Sequence, residues 1–144
     1  RMNSYLKHYL KWRVSPSQIF NQPNWMLITM IKADERQLLH KYLLLELAVK
    51  SLQVDYCKLE QFKMKTVFLP MMDSLLKELR QEYFNLKREL AQKRIRVVGW
   101  QPVDEYFSDV QVATAGNDVV LRYANQALKA QVEKLLINHI GRVE

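Results

Sequence analysis

The sequence predicts an α+β domain that is mainly α: a long antiparallel helical hairpin, a small three-stranded antiparallel sheet and a C-terminal helix. Three observations predict it. Two successive segments repeat apolar residues in heptads. Residues 110–123, VQVATAGNDVVLRY, alternate, turn and alternate again. The last segment, NQALKAQVEKLLINHI, returns to helical spacing. We read residues 1–144 as a single domain: a basic N-terminal segment (1–33), a helical hairpin (34–94), a sheet (95–123) and a final helix (124–140).

The first heptad series is Leu38, Tyr42, Leu45, Val49, Leu52, Tyr56, Leu59, and the second is Leu69, Met72, Leu76, Leu79, Tyr83, Leu86, Leu90. Further apolar residues flank both seams: Leu39, Leu43, Leu44 and Leu47 on the first, Phe68, Leu75 and Phe84 on the second. A stripe that wide belongs to a helix packed in a globular bundle. Asp34 with Gln37 three residues on reads as a capping box opening the first helix. Pro70 lacks a backbone donor, so the second helix either begins there or starts nearer Thr66 and bends. The short connection makes the two helices, residues 35–60 and about 69–94, antiparallel neighbours. We expect them to touch through Leu45, Val49, Leu52, Leu76, Leu79 and Tyr83.

Upstream, residues 3–13 have amphipathic helical spacing, SPSQ at 15–18 has the form of a helix start, and NQPN at 21–24 breaks the chain. WMLITMI at 25–31 fits a buried helical turn or a strand. Downstream, β-branched residues in RIRVVGW read as a strand over 95–99, with Ile95, Val97 and Gly99 on one face and Arg96 and Val98 on the other. QPVDE reads as a loop. In the hairpin, Val110, Val112 and Thr114 share a face, as do Val119, Leu121 and Tyr123. Gly116 and Asn117 in the turn are the types that best tolerate positive φ. An isolated hairpin is marginal in water, so the third strand and the last helix are needed to cover it. That helix shows an apolar face of Ala127, Leu128, Val132, Leu135, Leu136 and Ile140, with Gly141 as a stop.

The run from LLLELAVKSL through EQFKMKTVFLPMM to KRIRVVGW resembles a family of small uncharacterised proteins of spore-forming bacilli. The shared marks are a helical hairpin with FK at the bend, a proline soon after it, and a KRIRVV-like entry into a strand, over residues 38–140. The resemblance implies a bacterial host and this fold. It carries no activity.

Chemistry is sparse. The three glycines, at 99, 116 and 141, exclude a GxGxxG or Walker-type phosphate loop. His8, His40 and His139 lack metal-site spacing and read as surface or packed histidines. No serine sits in a nucleophile elbow. Glu78, Glu82 and Glu89 read as a solvated face with ordinary basic neighbours. Cys57 reads as a packing residue on an apolar helix face, and its solitude suits the cytoplasm. We therefore expect a non-enzymatic cytoplasmic protein with no catalytic, cofactor-binding or metal-binding residues.

Charge points to partners. The net charge is +7, and residues 1–33 contribute Arg1, Lys7, Lys11, Arg13 and Lys32 with no acid. A second basic cluster, Lys87, Arg88, Lys93, Arg94 and Arg96, closes the second long helix. We expect a protein-interaction or regulatory module; the alternative is a nucleic-acid-binding regulator using that cluster. A helix followed by a hairpin has the order of a winged helix. However, the preceding helices are long, and the hairpin carries only Arg122 between Asp109 and Asp118. Membrane contact through residues 1–14 is the weaker reading. Surplus apolar residues around the first long helix lead us to expect a symmetric homodimer.

Overall fold

The computed structural model describes residues 31–142. Helix α1 spans Ala33–Leu59 and α2 Lys65–Gln92; β1 spans Arg96–Pro102, β2 Phe107–Ala113 and β3 Asp118–Ala124; α3 spans Asn125–Arg142. The expectations for residues 3–24 and most of WMLITMI lie outside the described residues; Ile31 is buried in the core.

The heptad seams pack as the spacing predicts. Leu45, Val49, Leu52, Leu76 and Leu79 form one buried cluster, with Tyr56, Met72, Tyr83 and Leu86 packed against it. The flanking leucines of α1 go elsewhere. Leu39, Leu43, Leu44 and Leu47 join a larger core with Leu90, Ile95, Trp100, Val110, Val112 and Val119. Leu128 and Val132 of α3 complete it. These leucines are covered within one chain, so the surplus surface that motivated a second copy is absent from α1.

The start of α1 differs from the sequence reading, whereas α2 takes the second of its two expected starts. The residue preceding α1 is Lys32, which makes no side-chain cap; Asp34 lies inside the first turn and accepts the Glu35 amide, at 2.9 Å. Helix α2 begins at Lys65, and Pro70 sits inside it. It ends in a Schellman motif: the Ile95 amide donates to the Leu90 carbonyl at 2.9 Å, and the Arg94 amide to that of Ala91 at 3.0 Å. Arg94 occupies the left-handed residue of this motif, with φ 59°. Buried Leu90 and Ile95 provide the hydrophobic contact that accompanies such a turn.

The three strands pair in sequence order, β1-β2-β3, all antiparallel. Strand β1 runs past the expected residue 99 and takes in Gln101 and Pro102, so the loop shrinks to residues 103–106. Asp104 shapes that loop by accepting the Tyr106 and Phe107 amides at 2.8 and 2.9 Å. A bulge at Val98 resets the face of β1: Val97 pairs with Val112, Gly99 with Gln111 and Trp100 with Val110. Gly99 therefore leaves the face of Val97, and Trp100 takes the inward position, with no exposed surface. The β2–β3 register sets Val112 opposite Val119 and Val110 opposite Leu121, so the two alternating faces coincide. The turn does not use positive φ, since no glycine and no residue but Arg94 has it among the described residues. Instead the Thr114 hydroxyl hydrogen-bonds the Asn117 carbonyl and accepts the Asn117 amide, closing a four-residue loop.

Helix α3 departs in three ways. It continues through Gly141 to Arg142. Ile140 is 56% exposed and Ala127 is exposed, whereas His139 is buried. The reason is rotational: α3 turns Leu128, Val132 and His139 toward α1, α2 and the sheet, and that arc passes beside Ile140.

Candidate functional site

Two regions of the helical hairpin carry features beyond packing. The first is a cleft of about 660 Å³ where the middle of α1, the end of α2, the start of β1 and the β2–β3 turn meet. Tyr42 and Tyr83 form part of its wall. Their rings stack with centroids 4.9 Å apart and their hydroxyls lie 3.0 Å apart. Burial and then the hydrogen bond to Tyr83 push the Tyr42 phenol far above its usual range, so it stays neutral. Leu90, Ile95 and Val97 supply apolar surface.

Four cations line this cleft: Lys50, Lys87, Arg94 and Arg96. Lys50 pairs with Glu46 at 3.0 Å, one helical turn away. Lys87, Arg94 and Arg96 are exposed and form no ion pair among the described residues. The Schellman turn is what brings them together, because it reverses the chain between Lys87 on α2 and Arg96 on β1. The predicted basic cluster is thus only partly assembled. Arg88 hydrogen-bonds Asn85 away from the cleft, and Lys93 does not line it. Lys50, from α1, joins the set without any signal in the local sequence. Arg122 stays apart: its guanidinium pairs with both carboxylate oxygens of buried Asp109, at 2.8 and 3.0 Å. That pairing raises the Arg122 pKa and neutralises the hairpin's one cation.

The second region is the tip, residues 60–68, where every side chain is exposed. Phe62 is 50% exposed, Met64 58%, Val67 48%, Phe68 41% and Met71 64%. Phe62 and Phe68 meet edge to face at 6.2 Å. The heptad spacing places Phe68 beside the buried seam, but it is exposed, because among the described residues neither the sheet nor α3 covers this part of the hairpin. Cys57, expected to pack, is also exposed nearby.

A third cluster is structural. Glu82 accepts Lys41 from α1 at 2.9 Å and His139 Nε2 from α3 at 2.9 Å. Its partners come from other helices, not from the solvated neighbours on α2. Partial burial pushes its carboxyl up, but the hydrogen bonds from Lys41 and His139 outweigh this and hold it below the usual carboxylate range. His139 Nδ1 faces the Leu135 carbonyl at 3.0 Å. Both ring nitrogens therefore have an oxygen partner within the fold, which suits a clamp between helices. His40 is similarly occupied, by Gln131 Oε1 at 2.6 Å and the Tyr123 hydroxyl at 3.3 Å.

No group of three His, Cys, Asp or Glu poised for a metal occurs among the described residues, and no described helix is long and apolar enough to cross a membrane. Neither a curated protein nor a solved structure matches the chain. The family model described as YhjD protein matches residues 30–144, which cover α1, α2, the sheet and α3. The chain belongs to the YhjD protein family.

Proposed function

We propose that this chain is a non-enzymatic, cytoplasmic interaction module of a spore-forming bacterium, and that it docks a partner protein with the tip of its helical hairpin. The observation that carries this reading is the exposure of five large apolar side chains close together in the chain, Phe62, Met64, Val67, Phe68 and Met71. Apolar surface concentrated at one place on a domain is a mark of binding, and Met and Phe are side chains that adapt to a partner's pocket. The tip projects from the body of the hairpin, so its complement is a groove. Within residues 60–68, Lys63 and Lys65 outnumber Glu60, so the tip is positive and the groove has an acidic rim. Residues 1–33 are themselves basic, which disfavours them as the occupant.

The test places a photo-crosslinking residue at position 68 in cells of the host. A discrete adduct with one protein, lost when Met71→Asp is added, supports the reading. An adduct with a second copy, accompanied by a light-scattering mass of two 17.2 kDa chains, assigns the tip to a homodimer and overturns the partner protein. Retention on anionic vesicles that Phe68→Ser abolishes assigns it to a membrane.

The alternative, nucleic-acid binding, draws support from the cations Lys87, Arg88, Lys93, Arg94 and Arg96 gathered around the end of α2. It predicts affinity that falls steeply with salt, with a slope of about −0.9 per phosphate contact on duplex DNA.

A further inference from the structure

We propose that the cationic cleft between the helical hairpin and the sheet binds a small phosphorylated molecule with an apolar or aromatic body. The cavity, about 660 Å³, has the size of a small-molecule site. Its lining is mixed: Leu90, Ile95 and Val97 are apolar, and Lys87, Arg94 and Arg96 are cationic. Lys50 and Glu46 neutralise each other, so three positive charges remain for a ligand. A monocarboxylate would leave most of that charge unmatched. A phosphate monoester brings about −1.5 to −2 charges and three strong acceptor oxygens, which suits two guanidinium forks and an ammonium.

Two further features point the same way. In the tyrosine pair one hydroxyl donates to the other, so the accepting hydroxyl keeps its own proton free to donate. The second feature is Arg94. The left-handed position of a Schellman turn is ordinarily glycine, and a side chain there costs about 1 kcal/mol or more. Arg94 holds that position at φ 59° while lining the cleft. A backbone outlier retained at a cavity wall is the kind of strain found at ligand clamps.

Calorimetry on the full chain with phenyl phosphate, inorganic phosphate and benzoate tests the proposal. Phenyl phosphate is expected to bind saturably, and more tightly than either of the others. Lys87→Gln and Arg94→Gln should each weaken it about tenfold or more, the loss expected of one charge-assisted hydrogen bond. Arg94→Gly separates site from fold: it should melt no lower than the parent chain and still lose the ligand. Arg88→Gln and Lys93→Gln, outside the cleft, should bind as the parent does. The proposal is overturned by absence of saturable binding, by benzoate binding as tightly as phenyl phosphate, or by equal losses from Arg88→Gln and Arg94→Gln. Retention of a single-stranded oligonucleotide that depends equally on Arg88, Lys93 and Arg94 also overturns it and assigns the cluster to nucleic acid. Phe68→Ser at the tip should leave phosphate binding unchanged.

Discussion

The two ends of the helical hairpin share one heptad pattern and have opposite fates. At the closed end, α1 is buried on nearly every side from Leu39 to Val49, against α2, α3 and the sheet. At the open end, α1 and α2 meet only each other among the described residues, and Phe62, Met64, Phe68 and Met71 are exposed. A helix of 27 residues is roughly 40 Å long, while strands of seven residues span about half of that. The sheet therefore covers one half of the hairpin, and the other half projects. The difference teaches that a seam is a local property of two helices, whereas the covering of their other faces depends on what arrives from elsewhere in the chain.

Substitutions sharpen this contrast. Trp100→Ala, at the closed end, should cost about 3–5 kcal/mol in denaturant unfolding, because the side chain is fully buried at the meeting of sheet and helices. A loss under 1 kcal/mol would mean that the bulge at Val98 does not aim Trp100 inward. Leu79→Ala, in the seam, should cost about 2–5 kcal/mol. Near-parental melting would show that the seam is not where the hairpin is held.

The Glu82 clamp, which ties α3 to the hairpin, gives a smaller effect that depends on pH. Its folded carboxyl titrates below the usual range, so it stabilises the fold at pH values above the unfolded carboxylate pKa. That contribution disappears as pH falls through the lowered folded value. Glu82→Gln should therefore flatten the acid limb of a stability-against-pH curve, and an unchanged limb would remove the clamp from the account. The smallest effect belongs to the open end. Phe68→Ser should change stability by no more than about 0.5 kcal/mol, since the ring is already exposed. A larger loss would mean that the tip is covered in solution and would erase the contrast between the two ends.

Both helices, their heptad seams and the alternating faces of β2 and β3 were legible in the residues, because each is set by neighbours a few positions apart. The legible part of the cleft was its charge. Lys87, Arg94 and Arg96 stand close together in sequence, and the turn between α2 and β1 keeps them close. Lys50, Tyr42 and Glu46 carry no such mark, since they come from a different helix. The clamp of Lys41, Glu82 and His139 was hidden for the same reason, each member lying on a separate helix.

The sequence by itself determined that two long amphipathic helices pair and that a hairpin follows them. Apolar spacing of 3.5 and of 2 residues is a statement about contiguous chain, and it holds wherever that chain is placed. Tertiary structure decided the rest. One extra residue at Val98 moves every later side chain of β1 to the other face, which makes Trp100 and not Gly99 part of the core. The rotation of α3 buries His139 and leaves Ile140 outside. The sheet takes Leu39, Leu43 and Leu47 into one chain's interior, where periodicity alone left room for a second copy. In each case the choice is made by long-range docking, because the free energy of burial depends on which surfaces meet, and local spacing specifies only which surfaces are offered.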